Sequence, residues 1–145
     1  MTTSTYEEIT IGPLRVRPRV EPHESAESVA IHEFDVPAGT GLPVAHSHDA
    51  YEETIYGLVG TVTFTIEGTP TDIGPGEAVC IPRGAVHFFA NGGEVDATAL
   101  AIITPGILGA DYFREVAAIV DAAAGGPPDL AAIGEVMRRH GLTPA

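Results

Sequence analysis

The stretch that decides how this chain is read is Ala45-His46-Ser47-His48-Asp49-Ala50-Tyr51-Glu52-Glu53, closed by Gly60. Side chains alternate along an extended strand with period two, so His46 and His48 project from one face. Asp49 to Glu52 leave room for a short turn, and a strand starting at Glu53 can bring its carboxylate back toward both imidazoles. A second stretch, residues 76–91, holds one more histidine, His87. Neutral imidazole together with carboxylate suits Zn, Fe, Mn, Co, Ni or Cu. Three histidines and one glutamate would leave open positions on a six-coordinate ion, which catalytic sites keep and structural sites lack. By itself, a His-x-His pair is equally compatible with two surface residues of a strand.

Outward from these stretches, 17 glycines and 12 prolines fall between short β-branched runs. Residues 1–8 read as a loose terminus. Residues 9–16, broken by Gly12-Pro13, read as an edge strand or hairpin, since proline tolerates sheet edges. Residues 18–28 read as loop and 29–36 as a strand ended by Pro37-Ala38-Gly39. A Gly41-Leu42-Pro43 turn then delivers the His46/His48 strand. Further strands are expected over residues 53–58, 61–66, 71–73, 77–81, 85–90 and 96–104. Residues 61–66 alternate polar and apolar side chains strictly, the mark of a strand with one wet and one dry face. Many short strands separated by turn residues imply a sandwich or barrel, and no parallel βαβ pattern is visible.

After Pro105-Gly106 the period changes. Phe113, Val116, Ala117 and Val120 follow the spacing of an amphipathic helix. Asp111 can cap its start and Gly125-Gly126 its end. A second helix is expected from Pro128-Asp129, with Leu130, Ile133 and Met137 on one side and Arg138, Arg139 and His140 in its last turn, stopped by Gly141 and Pro144. The division that follows is a β-barrel over residues 1–105 and a helical hairpin over 106–145, lying on the barrel wall or across its mouth.

The 145 residues suit one domain with a sizeable core, and 44% of them are hydrophobic. Net charge is −13 with only seven basic residues, so no basic stripe exists to neutralise phosphates. Nucleic acid and anionic membrane surfaces are therefore not expected as partners. The single cysteine, Cys80, excludes an intramolecular disulfide and is read as a small buried residue. The first ten residues are polar and lack the apolar core of a signal peptide, and no run reaches membrane-spanning length. A soluble cytoplasmic protein is expected.

From His46 the first stretch reads His-x-His, four residues, Glu53, six residues, Gly60. The second reads Gly76, five residues, Pro82, one residue, Gly84, two residues, His87, three residues, Asn91. These resemble the paired motifs of the cupin superfamily. The second stretch matches at every defining position, and the first from His46 onward, with Tyr56 at its usual place. Upstream, Thr40 stands where the family tends to have glycine, flanked by Gly39 and Gly41. The motifs span residues 37–91.

The resemblance implies an all-β cupin barrel, a double-stranded β-helix or jelly roll. In it His46, His48, Glu53 and His87 bind a divalent transition metal. Small cupins of this kind look like quercetinase-type dioxygenases. The implied activity is oxygenation of a small enolic or phenolic compound, with dioxygen as co-substrate and Glu53 doubling as catalytic base. Non-redox isomerase, lyase or cyclase chemistry, or a non-catalytic small-molecule-binding barrel, are the alternatives. A homodimer is expected by analogy. Phe89 shares a face with His87 and Ile55 with Glu53; both are candidates for the substrate pocket, with ordinary packing as the competing role. Tyr51 and Tyr56 are read as packing residues and Asn91 as a turn residue. His23, His32 and His140 lie outside the motifs and are assigned no chemistry.

Overall fold

The structure, a computed structural model, describes residues 7–145, with Pro43 described by its backbone only. Of the terminus read as loose over residues 1–8, all but Glu7 and Glu8 lies outside the described residues. The elements are β1 (Ile9–Ile11), β2 (Leu14–Val20), β3 (Ala30–Val36), β4 (Gly41–His48), β5 (Glu52–Val59), β6 (Val62–Ile66), β7 (Thr69–Ile73), β8 (Ala78–Ile81), β9 (His87–Ala90), β10 (Ala97–Thr104), α1 (Ala110–Ala122), α2 (Leu130–Arg139) and β11 (Leu142–Pro144). A 3₁₀ turn, Pro22–Ser25, occupies part of the expected loop after β2.

The strands form two antiparallel sheets, ordered β1-β2-β3-β10-β5-β8 and β11-β4-β9-β6-β7. They face each other as a jelly-roll barrel, with one core between them. Period-two alternation builds that core: Ala30, His32, Phe34 and Val36 of β3 are buried, as are Ala97, Ala99, Ala101 and Ile103 of β10. Phe34 of one sheet meets Phe64 and Phe89 of the other, at ring separations of 6.4 and 5.4 Å. Burying side chains such as Ile55, Phe64 and Ile103 stabilises the fold by about 1.5–3 kcal/mol each before entropy is counted.

Proline and glycine sit where the backbone needs them. Gly12-Pro13 turns the β1–β2 hairpin. Pro18 lies inside β2, but β1 pairs only with residues 14–16 and leaves that edge free, so no ladder bond is missed on that side. Gly60 has φ +63°, and a β-carbon there would lie 2.5 Å from the Asp96 carbonyl oxygen. The backbone conformation and the close approach both require glycine.

The turn expected at Gly41-Leu42-Pro43 is instead the start of β4, and the chain reverses earlier, where Thr40 N–H donates to the Pro37 carbonyl. Asp111 does not cap α1. Gly109 is the N-cap, and the Glu21 carboxylate accepts from the Ala110 amide at 3.2 Å through both oxygens. That partner is 89 residues away and invisible to a local reading. Asp129 does cap α2, accepting from the Ala132 amide at 3.1 Å. Cys80, read as buried, is exposed, because β8 is an edge strand whose outer face meets solvent. The tail is more than a helical hairpin: β11 returns to the barrel and pairs with β4, Leu142 opposite His48 and Pro144 opposite His46. No helix among the described residues is long and apolar enough to cross a membrane.

Asn91 is 2% exposed and ties the end of β3 to the loop between β9 and β10. Its amide donates to the carbonyls of Val36 at 2.9 Å and Val95 at 2.8 Å, and its side-chain oxygen accepts from Gly93 N–H at 3.0 Å. Asn91→Ala removes the side-chain donor to the buried Val36 carbonyl, and chemical denaturation is expected to show a loss of about 1–3 kcal/mol.

Candidate metal centre and its cavity

β4 and β9 pair with His46 directly opposite His87, and His48 follows on the same face of β4. One ring nitrogen from each of the three lies within 4.8 Å of the other two. Ring centroids are 4.6 Å apart for His46–His87, 4.7 Å for His48–His87 and 5.2 Å for His46–His48. All three side chains are buried. Glu53, the second residue of β5, comes from the opposite sheet; its Oε2 lies 3.7 Å from His48 Nε2. It borders the histidine cluster and lies outside the tightest group.

Backbone carbonyls set two of the rings. His46 Nδ1 lies 3.0 Å from the Val44 oxygen and His87 Nδ1 lies 2.9 Å from the Ala85 oxygen. A carbonyl can only accept, so each Nδ1 carries the proton and each Nε2 presents a free lone pair. A metal ligand needs that tautomer. His48 Nδ1 is fully buried with no hydrogen-bond partner. The His48 ring stacks on Tyr51, with centroids 4.6 Å and planes 23° apart. Tyr51 is itself fully buried, and its hydroxyl is likewise unpartnered.

The electrostatics follow from burial. Desolvation, then repulsion from His87, lowers His46 to about 4. Burial and the neighbouring His87 and His46 lower His48 further. His87 is also lowered, chiefly by burial. All three rings are therefore neutral at physiological pH, and the His48–Glu53 contact is not an ion pair. Burial raises the Glu53 carboxyl to about 7. Its side chain keeps 14% of its surface, and that surface opens on the cavity. Three neutral imidazoles with lone pairs converging beside a carboxyl are a donor set that fits a divalent transition ion.

The cluster opens on a cavity of about 900 Å³. Phe34, Phe89, Tyr112, Phe113, Val116 and Met137 are among its walls, so α1 and α2 close over the barrel mouth. No lysine or arginine lines it among the described residues. Of the two residues proposed to contact substrate, Phe89 lines this cavity. Ile55 does not; it is fully buried in the core, paired across the sheet with Ala101 and Val79. Among the lining residues outside the motifs are Tyr112 and His32. Tyr112 reaches the cavity from α1, with its phenol raised by burial and by the Glu53 charge. His32 lies at an inward position of β3 and is lowered to about 4 by burial. Its phase with Ala30, Phe34 and Val36 was the available signal for His32; nothing local marks Tyr112.

A family model described as Cupin domain matches residues 32–103. An uncharacterised protein of Aquifex aeolicus (strain VF5) is 35% identical over 71 residues, 49% of this chain and 58% of that protein. The chain thus matches little more than half the length of that relative. Among solved structures, a predicted oxalate decarboxylase from Thermotoga maritima superposes with a TM-score of 0.62 at 23% identity, covering 69% of this chain and 91% of that one. The polyketide cyclase RemF from Streptomyces resistomycificus superposes with a TM-score of 0.61 at 22% identity, covering 72% and 80%. At such identities the likeness establishes the fold alone. Paired motifs, two-sheet barrel and family match agree, and the chain belongs to the cupin superfamily.

Proposed function

We propose that this cupin is a metal-dependent enzyme acting on a small, largely apolar enolic or phenolic compound, and that the reaction is a dioxygenation. His46, His48 and His87 would hold a divalent transition ion, with Glu53 completing the set and serving as base. One observation carries this: three neutral buried imidazoles and a carboxyl with proton affinity near neutrality share a cavity with mainly apolar walls and no basic side chain. A phosphorylated or doubly anionic substrate would find no side-chain cation there. A neutral enol or phenol can enter the apolar space whole and give up its proton inside.

The ion in such a set supplies Lewis acidity toward the substrate oxygen and, if redox active, the activation of dioxygen. The protein's own part is positional and acid–base. Glu53, at about 7, is present in both protonation states near neutral pH, so it can take a hydroxyl proton and return it. Phe89, two residues beyond His87 on β9, supports a conjugated ring beside the cluster. Tyr112, Phe113 and Met137 add apolar wall to the cavity from the two helices. The same Glu53 favours a second reading, a non-redox isomerase, lyase or cyclase, because a near-neutral carboxyl can move a proton at carbon without oxygen. Oxygen consumption during turnover separates the two.

Freshly purified protein is expected to carry a near-stoichiometric divalent transition ion. His46→Ala or His87→Ala should reduce it to background with the barrel still folded by circular dichroism. A full complement of metal retained in His87→Ala would remove the site. Glu53→Gln keeps an amide oxygen for the ion and loses the base; it should retain metal while turnover falls roughly 10²–10⁴-fold.

Metal-free protein should lose stability in acid between about pH 6.5 and 4. His32, His46, His48 and His87 all have folded-state values below the ordinary one, so in this window the unfolded chain binds more protons than the fold. Glu53 works oppositely: its raised value means the fold binds the extra proton from about 7 down to its ordinary 4.5. The rings outnumber it, so urea midpoints should fall from pH 7 to pH 5; a rise would contradict the neutral assignment.

A further inference from the structure

We propose that His32 is a second polar anchor in the cavity, binding a neutral hydroxyl or carbonyl group of the ligand remote from the metal centre. The inference rests on reading His46, His48 and His87 as the first anchor. His32 is 8% exposed and lines the cavity. Its ring packs against Phe113 at 4.7 Å and Phe34 at 6.1 Å, no side chain or backbone group among the described residues hydrogen-bonds its nitrogens, and they face the cavity rather than sealed core. A polar ring held among aromatic walls without a protein partner is poorly placed for stability, and leucine in the same inward phase of β3 would not be. A ligand in the cavity can supply that partner.

Strand register places this ring away from the first anchor. His32 is opposite Ala101, Ala101 is opposite Ile55, and Ile55 is two residues from Glu53. Two strand spacings and one inward step put the His32 and Glu53 α-carbons on the order of 12 Å apart. Aromatic rings connect the anchors: Phe89 beside His87, Phe34 at 5.4 Å from Phe89, then His32. The imidazole is neutral there, offering one donor and one acceptor, which a hydroxyl or carbonyl satisfies. A charged group would face no lysine or arginine in the lining. The ligand class is therefore a flat conjugated molecule with one oxygen for the metal centre and a second, uncharged oxygen function at its far side.

Calorimetric titration of the metal-containing protein with matched mono- and dihydroxylated naphthalenes and biphenyls tests this. Wild type should bind at least one dihydroxy compound about tenfold more tightly than its monohydroxy partner, the value of a buried hydrogen bond. His32→Leu should erase that preference, so that the matched pair binds alike, and melt at a higher temperature without ligand. His32→Asn, which keeps a donor and an acceptor, should retain part of the preference. His46→Ala should weaken both members of a pair alike; if it does not, the first anchor is wrong, whatever His32 does. No dihydroxy preference in wild type, or the same preference in His32→Leu, overturns the second anchor.

Discussion

Neutral imidazole rings gathered on the wall of an apolar cavity are the constraint on which this molecule depends. An imidazole buried in apolar surroundings must be neutral and must find partners for a donor and an acceptor. His46 and His87 satisfy half of that need locally, each giving its Nδ1 proton to a carbonyl two residues back. The other nitrogen of each points to a common centre where the chain supplies no donor. His48 is less well satisfied, with a buried Nδ1 that nothing approaches. A core selected for stability alone would not hold four such rings, counting His32. Such departures from a purely stabilising core are expected at functional sites.

The barrel supplies the chemistry and the tail supplies the enclosure. β4 carries two of the histidines and β9 the third, so strand pairing brings these rings together, while the Glu53 carboxylate of β5 reaches them across the barrel from the other sheet. The helices contribute no member of that set. α1 and α2 instead close the cavity with Tyr112, Phe113 and Met137. They are tethered at both ends: the Glu21 carboxylate caps α1, and β11 hydrogen-bonds along β4 beside the histidines. Through β11, α2 is joined to the strand that carries His46 and His48.

Positive charge is kept outside this enclosure. All seven basic residues are arginines, and none lines the cavity. Arg17 bridges Asp35 and Glu33 on the outer face of β2 and β3, and Arg139 pairs with Glu115 between the two helices. The strong acidity of the chain therefore lies mostly on its surface, and the ionisable acids that line the cavity are Glu53 and Asp121.

The residues alone determined most of the barrel and the donor set. Period-two alternation, Gly-Pro punctuation and the spacing of His46, His48, Glu53 and His87 are local properties, because a strand's faces are set by backbone geometry. Long-range contacts decided the rest. Whether Glu21 caps a helix 89 residues away, whether residues 142–144 continue as coil or join β4, and whether Cys80 meets core or solvent depend on which strands end as neighbours or edges. Ile55 and His32 show this most plainly: both point inward by phase, yet one seals the core and the other opens on the cavity. Phase sets the side of the sheet, and only packing across the barrel sets what lies there.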